Sequence, residues 1–193
     1  GDVYKRQVQK REVAIDEECI TGPFQLTDVQ YAYWMGRREQ QILGGNACHV
    51  YFEFDCHEID VDKLEHAWQT LQNSHSMLRA KFNKDGTQEI MPAAYSDKLT
   101  VYDLRGNDMP EQELVTIKEK LSHRLLDVQN GQVAELGVSI ISDDKFRLHF
   151  DVDLLVADMQ SLQIIFRDLE AIYSRNVLPT VSVSYTHLTL PTT

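Results

Sequence analysis

Only three cysteines occur, Cys19, Cys48 and Cys56, an odd and sparse count that argues against a secreted disulfide framework and suits reduced thiols in a cytosol. No apolar run approaches the roughly 20 residues that span a bilayer, and the first residues hold no signal-peptide core. The chain is therefore expected to be soluble, cytoplasmic and away from membranes. Runs of lysine or arginine are also missing. Acidic residues outnumber basic ones by 30 to 19, for a net charge of -11, so the phosphate-neutralising footprint of a nucleic-acid binder is lacking. A glycine-rich turn between strand and helix is absent too, which leaves dinucleotide and P-loop sites without support; Gly44-Gly45 reads as a loop. The pairs Cys48-His49 and Cys56-His57 resemble metal ligands at first sight, but the intervening "HVYFEFD" alternates as a strand and separates them by about 23 Å. No metal is expected.

What is present is the composition of a folded core. A chain of 193 residues with 42% hydrophobic and 25% charged residues suits one domain or a piece of a larger one. Its ends differ from the rest. "GDVYKRQ" at 1–7 and "VSYTHLTLPTT" at 183–193 resemble translated sequencing-adapter read-through on gene fragments from environmental DNA, the second stretch being uncharged and rich in threonine. Residues 8–22 read as a polar linker and 23–182 as the folded unit.

Within that unit, "LTDVQYAYWMGR" predicts a short helix capped by Thr27, with Val29, Tyr33 and Gly36 on one face and Gly36 as its stop. "HVYFEFD" predicts a strand with Val50, Phe52 and Phe54 on one side. Asp60 or Asp62 opens a helix whose buried stripe is Leu64, Ala67, Trp68 and Leu71. A hairpin follows with Asp85-Gly86 at its turn, then a strand at "KLTVYDL". Pro110 starts an amphipathic helix through Leu114, Ile117, Leu121 and Leu125. "AELGVSIIS" and "KFRLHF" are strands around an Asp143-Asp144 turn, and "MQSLQIIFRDLEAIYSR" is the last helix. Helices and strands mix without strict alternation, which predicts an α/β (α+β) sandwich.

Three aspartates follow the second of those strands. In "FRLHFDVDLLVADMQS", Asp151, Asp153 and Asp158 stand among apolar residues, where an unpaired carboxylate is costly. Asp153 and Asp158 are expected on a loop between a strand end and a helix start, an address shared by catalytic groups and by helix caps. As a cap, Asp158 would accept from the amides of Gln160 or Ser161. His149 shares with Arg147 the strand face opposite Phe146, Leu148 and Phe150, so it is expected to be solvated or to make a local hydrogen bond.

Three separated blocks carry a family resemblance. "FQLTDVQYAYWMGR" (24–37), "NSHSMLRAKF" (73–82) and "DLLVADMQS" (153–161) resemble, in order, signature blocks of heterocyclization domains in nonribosomal peptide synthetases, which are relatives of the condensation domain. The last block matches D-x-x-x-x-D-x-x-S at Asp153, Asp158 and Ser161; ordinary condensation domains carry H-H-x-x-x-D-G there. Leu154 falls on the second histidine, the general-base candidate of those domains, and cannot move a proton. Ser74 stands where the family usually has arginine.

The resemblance implies a chloramphenicol-acetyltransferase-like fold, of which this chain is the N-terminal lobe, without the C-terminal lobe and so inactive alone. It further implies condensation of an upstream acyl or peptidyl thioester with Cys, Ser or Thr on a carrier domain, then cyclodehydration to a thiazoline or oxazoline. Substrates would arrive on the phosphopantetheine of upstream and downstream carrier domains, with no cofactor bound directly. Asp153 and Asp158 are the implied catalytic pair, with Ser161, Arg79 and His75 in supporting or structural roles and Tyr33 and Trp34 as tunnel-lining or core residues. Asp158 is expected in the core, paired with Arg79 or, second, Arg37, while Asp153 faces the tunnel and carries little structural weight. Two other readings remain: a non-catalytic condensation-fold module that docks carrier domains, and a glycosyltransferase whose Asp151 and Asp153 hold a divalent ion.

Overall fold

The computed structural model describes residues 22–43 and 49–175 and the strand 183–189, with 39–43 and 183–189 described through the backbone alone. A five-stranded sheet, ordered β5-β6-β7-β2-β8, forms the centre: β2 is His49–Cys56, β5 Thr100–Asp103, β6 Ala134–Ser142, β7 Lys145–Asp153 and β8 Val183–Thr189. Its pairings are antiparallel except β5 with β6. A smaller antiparallel sheet joins β1 (Phe24–Gln25), β4 (Thr87–Ile90) and β3 (Ala80–Phe82). The helices are α1 (Asp28–Leu43), α2 (Val61–Ser74), α3 (Pro110–His123) and α4 (Met159–Arg175). None among the described residues is long and apolar enough to cross a membrane.

Alternation in β2, β6 and β7 sorts two faces. Val50, Phe52, Leu136, Val138, Leu148, Phe150 and Val152 share one, against which α2 and α4 pack. Trp68 meets Phe150 edge to face at 5.7 Å, and Phe166 of α4 sits 5.0 Å from each of Phe52, Phe54 and Phe150. The other face carries His49, Tyr51, Glu53, His149, Asp151 and Asp153. There α3 lays Leu114, Ile117 and Leu121 against Tyr51 and Leu104. Both faces are thus covered, and polar residues on the second are buried with it.

Local chemistry explains most boundaries. Thr27 Oγ1 accepts from the Gln30 amide while Gln30 Oε1 accepts from the Thr27 amide, a reciprocal box that starts α1. Asp60 caps α2 through the Lys63 amide, and Leu64, Ala67, Trp68 and Leu71 are its buried stripe, as the spacing predicts. Gly86, at φ 79°, takes the left-handed position of the β3–β4 turn.

Three expectations are corrected and one open alternative is decided. Helix α1 continues through Gly36 to Leu43, because one glycine costs only about 1 kcal/mol inside a helix. Among its described side chains the buried positions are Trp34 and Arg37, with Val29 exposed and Tyr33 half-buried, so the inward face is rotated by about one residue. Helix α3 ends at His123 and leaves Leu125 exposed. Of the two outcomes expected for His149, the structure takes the hydrogen-bonded one: the side chain is 1% exposed beneath α3 and bonds Tyr51 and Ser139 on the neighbouring strands. The reading of 1–7 and 8–21 lies outside the described residues; the backbone of 183–189 pairs with β2 at the sheet edge.

Trp68→Ala is expected to lower stability by about 3–5 kcal/mol, the usual cost of emptying a fully buried aromatic site. Tyr95→Ala, at a position 54% exposed, is expected to stay within about 0.5 kcal/mol. Urea denaturation of the domain that contains this chain measures both.

Candidate active site

Strand β7 runs through Asp153 before the chain turns, so Asp153 is the last residue of the sheet and not a loop residue. Its backbone is fixed at both ends: the amide donates to Val133 O at 2.8 Å, and its carbonyl accepts from Val156 at 3.1 Å. The side chain is 0% exposed. One carboxylate oxygen accepts from the Leu155 amide at 3.0 Å, and the other is ion-paired with Arg37 of α1. Arg37 also donates to Leu126 O, so a single guanidinium ties α1, the end of β7 and the segment after α3 together. Burial pushes the Asp153 carboxyl up to about 6, against the opposing pull of Arg37.

An open cavity of about 280 Å³ lies beside this contact, walled by Trp34, Arg37, Arg38 and residues 125–129. Trp34 is at once core and wall, stacked near Phe82 with ring centres 6.4 Å apart. Tyr33 packs partly buried against the core and is not among the cavity's lining residues.

Asp158 takes the expected role of a helix cap and not that of a buried, ion-paired carboxylate. It is exposed, and its Oδ1 accepts the Ser161 amide at 2.7 Å, which makes it the N-cap of α4. Ser161 thus contributes its backbone to that bond. Arg79 does not approach Asp158; it clamps main-chain carbonyls instead, donating to Met91 O, Gln72 O and Asn73 O at 3.1, 3.2 and 2.8 Å. The pairing of Asp158 with Arg79 or Arg37 is therefore corrected: Arg37 binds Asp153, and Asp153 is the buried structural carboxylate. A helix start at the surface leaves Asp158 in water, where it needs no cation. His75 Nε2 lies 2.7 Å from Asp168 Oδ2, joining the end of α2 to α4 at the half-exposed rim.

A second buried carboxylate stands beside Asp153. Asp151, two residues earlier on the same face, accepts from Arg124 Nε at 2.7 Å, and Arg124 also pairs with Glu135 at 2.8 Å. His49 Nε2 stands 3.5 Å from the other oxygen of Asp151. With Arg124 on Asp151 and Arg37 on Asp153, both aspartates are committed to guanidinium partners, which is the wrong surrounding for a divalent ion. Among the described residues no group of three or more His, Cys, Asp or Glu is arranged to hold one.

Farther along the same face, His149 links Ser139 Oγ at 2.6 Å to the Tyr51 hydroxyl, which donates to Glu53 at 2.8 Å. Burial, with help from Arg147, pushes His149 down to about 3. The neutral ring then donates from Nδ1 to Tyr51 and accepts at Nε2 from Ser139, the tautomer that satisfies every member.

The sequence from residue 22 to 186 matches the Condensation domain family model. The chain belongs to that family. Among curated relatives, it is 41% identical over 167 residues to phenyloxazoline synthase MbtB of Mycobacterium tuberculosis, covering 84% of this chain and 12% of that protein. With pyochelin synthetase PchE of Pseudomonas aeruginosa it shares 35% identity over 156 residues, covering 78% and 11%. The EpoB cyclization-docking bidomain of Sorangium cellulosum superposes with a TM-score of 0.72 at 33% identity, over 82% of this chain and 32% of that one. These relatives place the chain with heterocyclization-type condensation domains. A starter condensation domain of rhizomide synthetase, at 15% identity and a TM-score of 0.70, shares the fold alone. The fold is the expected α/β sandwich of chloramphenicol-acetyltransferase type, and the chain spans about one eighth of MbtB.

Stability should separate the two aspartates of the family block. Asp153→Ala is expected to cost about 3–5 kcal/mol, because Arg37 is left as an uncompensated buried charge. Asp158→Ala is expected to cost about 1 kcal/mol, the loss of a cap. Urea denaturation of the complete domain carrying each variant reads the difference, and equal costs would contradict the geometry.

Proposed function

We propose that this chain is the N-terminal lobe of a heterocyclization domain in a nonribosomal peptide synthetase. The domain condenses a carrier-bound acyl or peptidyl thioester with carrier-bound Cys, Ser or Thr and cyclodehydrates the product to a thiazoline or oxazoline. Substrates reach it on phosphopantetheine arms of neighbouring carrier domains, and a C-terminal lobe completes the site. Relatives named for phenyloxazoline, pyochelin and cyclization support this reading.

The observation that carries the site assignment is the division of labour within Asp153-x-x-x-x-Asp158. Asp153 is sealed in the protein and holds Arg37, which forms part of the cavity wall. Its charge reaches the cavity through that guanidinium, which is oriented by two acceptors and suited to stabilise an oxyanion during acyl transfer. Asp158 is the accessible carboxylate. Placed at the start of α4, it is available to orient the attacking amine of the carrier-bound amino acid by charge and hydrogen bonding. Leu154, half-buried between them, has no proton to exchange. His75, Arg79 and Ser161 support the elements on which the pair stands.

Asp158→Asn tests the assignment cleanly, because asparagine caps a helix about as well as aspartate does. In the complete domain this variant is expected to keep wild-type stability while heterocycle formation falls at least about tenfold, of the order a positioned acid-base group contributes. Mass spectrometry of the carrier-bound product is the readout. Wild-type yield from a folded Asp158→Asn protein would remove Asp158 from the mechanism.

A further inference from the structure

The polar end of the sheet holds more charge than the family block accounts for. Around Asp153, Arg37 faces it from α1, His49 from β2 and Asp151 from β7. Around Asp151 stand Arg124 from the end of α3, Glu135 from β6, His49 and, within electrostatic reach, Tyr51 of β2. Tyr102 of β5 faces Arg124 and Glu135. Two guanidiniums therefore serve three carboxylates, and two of those carboxylates are almost wholly buried. A buried cluster with an excess negative charge is costly, so it tends to retain one proton.

The register decides where that proton can reside. His49 is paired across from Asp153 and sits two residues from Tyr51, whose own partner is Asp151; the imidazole thus shares one sheet face with both carboxylates, within electrostatic reach of Asp153. Oδ2 of Asp151 takes Arg124, whereas its Oδ1 is buried, accepts no hydrogen bond among the described residues and faces His49 Nε2 across 3.5 Å. An oxygen placed in this way is suited to share a proton with the imidazole.

We propose that His49 and Asp151 are positioning residues that set the charge of Asp153, and through it the hold on Arg37, by keeping one proton in the buried cluster. Their effects on Asp153 have opposite sign: a positive imidazole favours its carboxylate, and a negative Asp151 disfavours it. The raised titration of Asp151, to about 7 and caused first by burial, agrees with a proton held there near neutral pH.

The test is a carbon-13 titration of aspartate carboxyls in the complete domain, free of substrate, accompanied by the pH profile of heterocycle formation. The activity arm rests on the function proposed above; the carboxyl titration does not. Asp151→Asn is expected to move the Asp153 midpoint to lower pH and His49→Gln to higher pH, each by at least about half a unit for charges at this range. Asp151→Glu, which keeps the charge, is expected to restore the wild-type midpoint. Should Asp151→Asn fail to fold, the His49→Gln arm decides the sign by itself. Shifts in the same direction, or none, would overturn the proposal. Opposite midpoint shifts without a matching change in the activity profile would uphold it and count against a role for Asp153 in turnover.

Discussion

The contact between Arg37 and Asp153 is the constraint on which the rest of this lobe depends. Asp153 ends the central strand, Arg37 lies in the first helix, and Leu126 follows the third, so one guanidinium fixes three parts of the chain that share no regular backbone pairing. Burial makes the contact demanding. Neither charge can be solvated, and each is tolerable only while the other is in place. A fold that keeps such a pair is committed to one relative placement of helix and strand, and it is this placement that puts Arg37 on the cavity wall.

The polar face of the sheet follows from the same geometry. Opposite strands place Asp55 beside Arg147, Glu53 beside His149, Tyr51 beside Asp151 and His49 beside Asp153, so every rung carries groups that can satisfy one another. Helix α3 closes over this ladder with three aliphatic side chains. An apolar face would have packed there as well. Retaining polar rungs allows the sheet to hold charges at its end in defined positions, next to the block that resembles the heterocyclization signature.

Much of this is legible in the sequence, and the limits have physical causes. Capping and turn chemistry place α2, the β3–β4 hairpin and the span of α4, because those signals act within four residues. Alternation in "KFRLHF" identifies two faces correctly, yet it carries no information about whether a helix covers the polar one; that depends on where α3 packs, so the sequence alone leaves His149 between solvent and a local hydrogen bond. The same limit exchanges the two aspartates. Asp158 next to an apolar run suggests burial, but its position one residue before α4 leaves it at the surface, while Asp153 is paired with an arginine 116 residues away in sequence. Arg37 and Arg124 give no local sign of their partners, since both contacts arise from tertiary register. The three family blocks carry what local chemistry cannot.

Membership of the condensation family gives these contacts a setting, and the cyclization relatives give them a direction. What makes the account specific to this chain is the claim that the first aspartate of the block acts from the interior, through an arginine, and the second acts from the surface. The most direct measurement is a double-mutant cycle between Arg37→Gln and Asp153→Asn in the complete domain, followed by urea denaturation. The expected coupling is above about 2 kcal/mol, because each single change strands a buried partner and the double change does not. A coupling below about 0.5 kcal/mol, the level at which independent sites simply add, would contradict the account.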